Sequence, residues 1–188
     1  MSTIYLFRHG QSEFNLSKIF TGWLDAKLTP LGIDQAKALG LMLKDKKINL
    51  AYTSRLSRAQ DTLKEVLVFH PECQPVIVDD RIIERSYGDL AGHTHQEILD
   101  KYGSDQFDKW HRGWNERIEN GETLADVEIR VQSFIDELKS KYSAQNFGIA
   151  ISAHGNSIRL FRKIMENATI ADTVSWTIPY DQYFEYDI

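Results

Sequence analysis

Tyr5-Leu6-Phe7-Arg8-His9-Gly10-Gln11-Ser12-Glu13-Phe14-Asn15 decides how the rest of the chain is read. Thr3 to Phe7 is β-branched, aromatic and apolar, which predicts a short buried strand. An arginine, a histidine and a glycine follow at once, and then a polar run. In an α/β fold the carboxyl ends of strands are where ligands meet the protein, so a basic turn at that place is a candidate site. One Arg-His-Gly triplet is weak evidence, because surface loops often carry such sequences. Two more stretches share its character. Ile48 to Thr53 reads as a strand running into Ser54-Arg55-Leu56-Ser57-Arg58, and Phe147 to Ser152 reads as a strand running into Ala153-His154-Gly155-Asn156-Ser157. In a parallel sheet these three ends lie on one edge, and their loops meet.

Composition sets the bounds. The 188 residues are 42% hydrophobic and 26% charged, with a net charge of -5. These values describe a globular chain of one domain over 1–188. The acidic balance argues against a general nucleic-acid binder, so an anionic ligand must be held by a local cluster of Arg and His. The single Cys73 allows no internal disulfide and fits a reducing compartment. Met1 to Phe7 lacks the basic flank and long apolar core of a signal peptide. No apolar run approaches membrane-spanning length. A cytoplasmic protein with no membrane partner is the expectation.

Along the chain, Thr29 as N-cap and Pro30 at the first helical position predict a helix to about Lys44. Its core face is expected to be Ile33, Ala36, Leu39 and Leu43. Ser54 or Ser57 is expected to cap a helix running to about Phe69, and Val76 to Val78 reads as a third strand. Asp80 to Gly92 reads as irregular. The polar, Trp-rich stretch at about 93–121 is expected to be an inserted lid with short helices near Gln96–Tyr102 and Asp105–Trp114. Thr123 opens the longest helix, with Leu124, Val127, Val131, Phe134, Ile135, Leu138 and Tyr142 on one side. A helix carrying Ile158, Phe161, Ile164 and Met165 follows the His154 loop, and the last strand or strands fall between Val174 and Tyr186. Alternating strands and helices predict a three-layer α/β/α sandwich around a mostly parallel sheet, with a short helical lid insertion.

Two arginines (Arg8, Arg58) and two histidines (His9, His154) aimed at one sheet edge suit a phosphoryl group and the charge on its equatorial oxygens. Glu84, between Arg81 and Arg85, reads either as an ion-pair partner or as a general acid. Neither His9 nor His154 has the spacing of a metal site, and His93 and His95 read as lid surface.

The first stretch resembles the signature of the histidine phosphatase superfamily. Within it, Phe20-Thr21-Gly22-Trp23-Leu24-Asp25, Thr53-Ser54 through Arg58-Ala59, Glu84-Arg85-Ser86-Tyr87-Gly88 and Ala153-His154-Gly155-Asn156-Ser157-Ile158-Arg159 are similar to the 2,3-bisphosphoglycerate-dependent phosphoglycerate mutases. The resemblance spans nearly the whole chain. It implies a mutase that interconverts 3- and 2-phosphoglycerate through a phosphohistidine primed by 2,3-bisphosphoglycerate, without metal. His9 would be the nucleophile, with a backbone carbonyl fixing its tautomer. Arg8, Arg58 and His154 would hold the phosphoryl group, and Glu84 would be the acid and base. Ser12, Asn15, Thr21, Gly22, Arg85, Tyr87, Arg112, Gly155 and Asn156 would bind substrate, with weaker contacts from His95 and His111. Small phosphorylated metabolites are the implied partners, and a homodimer or higher homo-oligomer the implied assembly.

The departures point elsewhere. The family usually has a lysine where His95 falls and two arginines where His111-Arg112 falls, which weakens the fixed positive charge. If His95 and His111 bind the cofactor when charged, lower pH should strengthen that binding, since protonation restores the missing cations. Gln11 replaces a glutamate and partly offsets the loss. The lid is short, and the sequence stops at Tyr186-Asp187-Ile188, where relatives carry a tail that closes over the site. An open pocket favours hydrolysis, so the alternative is a broad-specificity phosphomonoesterase acting on small phosphorylated metabolites. A relative that only binds phosphorylated ligands would have lost the nucleophile or the acid. His9 and Glu84 are both present.

Overall fold

The computed structural model describes residues 1–188. Its centre is a five-stranded sheet of β1 (Thr3–Arg8), β2 (Leu50–Thr53), β3 (Val76–Val78), β4 (Gly148–Ala153) and β5 (Tyr183–Asp187), in the order β3-β2-β4-β1-β5. β1, β2, β3 and β4 run parallel, and only β5 is antiparallel, on β1. Phe7 pairs with Ser152 and Thr53 also pairs with Ser152, so the ends of β1, β2 and β4 are level. That register brings the three basic loops together.

Strand alternation sorts the core into two layers. Ile4 and Leu6 of β1 face one way, with Leu50, Tyr52, Ile149 and Ile151. Over them lie α6 (Leu124–Tyr142), through Val127, Val131, Phe134, Ile135 and Leu138, and α7 (Gly155–Glu166), through Ile158, Leu160 and Phe161. Tyr5 and Phe7 face the other way, with Ala51 and Ala150, under Leu39 and Leu43 of α2 (Pro30–Leu43) and Leu63 and Val66 of α3 (Ser57–Leu67). Together these layers make the three-layer α/β/α sandwich.

Local chemistry sets the helix starts. The Thr29 hydroxyl accepts from the Gly32 N–H at 3.0 Å, with Pro30 at the first position. Thr123 and Asp126 cap α6 reciprocally. The buried stripe of α2 is Gly32, Ala36, Leu39, Gly40 and Leu43, whereas Ile33 is exposed. The helix turns its small residues inward because α3 passes close: a Cβ on Gly40 would sit 2.9 Å from the Glu65 carbonyl oxygen. α3 starts after Leu56 with no side-chain cap, and the Ser54 hydroxyl instead accepts from the Leu56 N–H.

The insertion holds α4 (His95–Tyr102) and α5 (Ser104–Arg112), the latter capped by Gly113 and ending two residues short of its predicted end at Trp114. Phe107, Ile98 and Ile118 of the insertion pack with Phe20, Tyr87 and Leu90 as a third apolar cluster, apart from the sheet. A short α1 (Glu13–Leu16) follows the first basic turn, and an unpredicted α8 (Ile170–Ser175) takes up the first two residues of the span expected to be strand, which β5 enters only at Tyr183. No helix is long and apolar enough to cross a membrane.

Candidate active site

β1, β2 and β4 deliver Arg8, His9, Arg58 and His154 to one end of the sheet. The His9 Nδ1 lies 2.7 Å from the Gly10 carbonyl oxygen. A carbonyl only accepts, so Nδ1 carries the proton and Nε2 is a bare lone pair. Burial, then the Arg58 and Arg8 charges, hold His9 well below the ordinary imidazole range, so it stays neutral. Nε2 accepts from the Arg58 Nε–H at 3.3 Å. The remaining nitrogens of Arg58 donate to the Leu24 and Gly22 carbonyls, both at 2.9 Å. Gly22 has φ +51°, and a Cβ there would meet the Tyr87 nitrogen at 3.0 Å. Only glycine lets this turn offer its carbonyl to Arg58.

Glu84 stands across the pocket from these groups on a segment fixed from several sides. Its Oε1 accepts from the N–H of Arg85 at 2.7 Å and of Asn156 at 3.2 Å. Its Oε2 has no partner within the chain and is the oxygen free to carry a proton. The Glu84 carbonyl accepts from the Trp23 indole and from Arg130, which also donates to the Arg81 and Ile83 carbonyls. Arg81 turns outward to Asp79 and Glu137, so Glu84 has no ion-pair partner beside it.

A second cationic group is built by Arg112 and Arg159. Both donate to the Trp176 carbonyl, which sets their guanidinium groups side by side. Burial and then the Arg112 charge push Arg159 down to about 10. Neither of them, nor Arg8, takes part in any ion pair. Asn156 ties this second group to Glu84, because its Oδ1 accepts from Arg159 and its N–H donates to Glu84 Oε1, while its Nδ2 donates to the Tyr87 hydroxyl. The pocket between them has a volume of about 250 Å³. Arg8, Lys18, Arg58, Arg112 and Arg159 line it against the single carboxylate of Glu84. A chain of net charge -5 has therefore gathered five cations around one small cavity.

The family model described as histidine phosphatase superfamily (branch 1) matches residues 4–183. The chain belongs to the histidine phosphatase superfamily. A 2,3-bisphosphoglycerate-dependent phosphoglycerate mutase of Cytophaga hutchinsonii is 36% identical over 172 residues, 92% of this chain and 81% of the relative. Among solved structures, the alpha-ribazole phosphatase from Shigella flexneri is similar with a TM-score of 0.86 and 26% identity, over 99% of this chain and 90% of that one. A mycobacterial glucosyl-3-phosphoglycerate phosphatase gives a TM-score of 0.85 at 25% identity, over 97% and 88%.

Against that family frame, this histidine phosphatase brings most of the predicted residues to the pocket. Arg8, His9, Asn15, Thr21, Gly22, Arg58, Glu84, Tyr87, His95, His111, Arg112, Gly155 and Asn156 all line it. Three predicted residues do not. Arg85 is fully buried and donates to the Glu122, Trp110 and Glu116 carbonyls at 2.7, 2.9 and 3.1 Å. It ties the insertion to the Glu84 segment and does not line the pocket. Ser12 is also fully buried, bonded to Asn15 as the N-cap of α1. His154 lies behind His9 rather than in the wall, with ring centroids 4.9 Å apart. Its Nε2 meets the Ser54 hydroxyl at 2.7 Å, while Nδ1 is buried without a partner.

Burial opposes the charging of His95 and His111. Burial, followed by Arg112, pushes His111 down to about 3, and burial followed by Lys18 lowers His95. Both stay neutral near pH 7, their rings 5.3 Å apart. Lys18, Arg159, Thr177 and Tyr180 were not read as site residues from the sequence, yet all line the pocket. Arg159 stood inside a quoted motif and on the same helix as Asn156. Lys18 has φ 52°, a left-handed turn that carries no sequence signal for a lysine.

Proposed function

We propose that this histidine phosphatase is a phosphoglycerate mutase working through phosphorylated His9. The observation that carries the reading is the Arg112–Arg159 pair. Two like charges placed side by side at a cavity, with no carboxylate between them, call for an anion there. A second anion belongs at His9, Arg8 and Arg58. The cavity, about 250 Å³, lies below the usual range for drug-sized ligands, roughly 300 Å³ upward, and admits only a small molecule. A three-carbon acid bearing one phosphate meets all three conditions. 2,3-Bisphosphoglycerate fits the same donor set, and when bound it supplies the first phosphoryl group.

The residues then act in order. The lone pair on His9 Nε2 attacks phosphorus while the Gly10 carbonyl keeps the proton on Nδ1. Arg58 is already in place to pass its Nε–H from Nε2 to a phosphoryl oxygen, and Arg8 adds charge beside it. Glu84 gives its proton to the departing oxygen. In the return step the acceptor hydroxyl surrenders its proton to Glu84 as its oxygen attacks phosphorus, and the N–P electron pair returns to Nε2. Arg112, Arg159 and Lys18 hold the other end of the ligand through both steps.

The neutral His95–His111 wall favours a second reading, a phosphomonoesterase on small phosphorylated metabolites, as the structurally similar phosphatases suggest. Phosphorus NMR of the enzyme with 3-phosphoglycerate separates the two. 2-Phosphoglycerate that appears only with a trace of 2,3-bisphosphoglycerate is expected. Inorganic phosphate without isomer exchange would establish the phosphatase.

A further inference from the structure

Tyr180 has no part in the chemistry above, yet its ring stands beside that of His9. The Arg8 guanidinium lies 4.0 Å from the centre of the Tyr180 ring, and that ring meets His9 edge-on at 6.4 Å between centroids. The segment that carries it is held down. Arg8 Nη1 donates to the Ile178 carbonyl at 2.8 Å, and the Ile178 side chain is buried in the core under α6 and α7. Arg8 Nε is buried without any partner, so the arginine is steadied by one carbonyl and by the aromatic face. Thr177 and Tyr180 form the pocket wall on this side.

We propose that Tyr180 is a specificity-determining residue that decides whether phosphorylated His9 gives its phosphoryl group to a metabolite or to water. The inference rests on His9 carrying that group. The two fates have the same balance. An oxygen bonds to phosphorus, the N–P bond breaks with its electron pair returning to Nε2, and the oxygen's proton passes to Glu84. They differ only in whether the oxygen belongs to a bound hydroxyl or to water. A residue that takes no proton and forms no bond controls this choice by covering part of the approach to phosphorus. The half-buried Tyr180 ring, in the pocket wall beside His9, is placed to do so while holding the Arg8 guanidinium, which is a positioning role as well as a screening one.

The test loads wild type, Tyr180→Phe, Tyr180→Leu and Tyr180→Ala with radiolabelled phosphate from 2,3-bisphosphoglycerate. Donor is removed, and loss of label from the protein is followed. Tyr180→Ala should lose it at least tenfold faster than wild type and show a matching rise in phosphatase relative to mutase turnover. Tyr180→Phe should stay within twofold of wild type, and Tyr180→Leu, which keeps bulk but not the π face, should fall between. Should Tyr180→Ala not fold, Tyr180→Leu against Tyr180→Phe still decides. Equal loss from all folded variants overturns the assignment, as does a Tyr180→Phe that behaves like Tyr180→Ala. If even wild type takes no label, the His9 reading itself fails and this inference with it.

Discussion

The lone pair of His9 Nε2 and the Nε–H of Arg58 face each other at 3.3 Å. The same arginine holds the Gly22 and Leu24 carbonyls, so its position is fixed before any ligand arrives. A lysine has one nitrogen and cannot make these three contacts with the same geometry. Arg58→Lys is therefore expected to lower kcat by about 10²–10³-fold, the range for removing a preorganised donor at a developing charge. Steady-state kinetics with a fixed substrate, beside an unchanged circular dichroism spectrum, checks this. A loss below about fivefold would remove Arg58 from charge stabilisation.

Glu84 offers one oxygen to backbone donors and leaves the other free. Glu84→Gln keeps the shape and removes the proton. Turnover of phosphoglycerate should drop by about 10²–10⁴-fold. An aryl phosphate, whose leaving oxygen needs no proton, should be cleaved to phospho-His9 at a rate much closer to wild type. Equal losses on both substrates would mean that Glu84 positions rather than protonates.

Arg85 marks the boundary between binding and architecture. Arg85→Ala leaves three part-buried carbonyls without their donor, at up to about 1–3 kcal/mol each. The expected result is a large drop in the denaturation midpoint. A variant that instead keeps wild-type stability and raises only KM would put Arg85 back into substrate binding.

Three buried imidazoles give stability a pH dependence of known sign. Folding holds His9, His154 and His111 below their ordinary range. Their unfolded counterparts take up protons near pH 6.5, so the unfolded state binds more protons as pH falls through that value. Stability is full above about pH 6.5 and falls below it, by at most ~1.4 kcal/mol per pH unit for each histidine. Thermal melts from pH 7.5 to 5 should show this, with a shallower slope in His111→Asn. For the same reason the pH profile of KM should be alike in wild type and His111→Asn between pH 8 and 6.5.

Much of this was legible from residue order. Apolar runs ending in Arg-His-Gly or Ala-His-Gly placed His9 and His154 at strand ends, the run into Ser54-Arg55 placed Arg58 at the following helix start, and Thr29-Pro30 and Thr123 marked further helix starts. What escaped depends on tertiary approach. The inward face of α2 is made of Gly32, Ala36 and Gly40 as much as leucine, so a hydrophobic pattern puts Ile33 on the wrong side. Whether an arginine serves a ligand or a set of carbonyls is decided by the chain it meets. Arg85 and Arg159 therefore look alike in sequence and differ in role. Tyr180 reached the site from a bend before β5, inside a span that reads as strand in sequence.

The central claim is that His9 Nε2 carries the phosphoryl group. Mixing enzyme with 2,3-bisphosphoglycerate, quenching in base within milliseconds and mapping the peptides by mass spectrometry tests it most directly. One added phosphoryl group is expected, acid-labile and located on His9, absent from His9→Ala. A phosphoryl group on another residue, or turnover by His9→Ala, would contradict it.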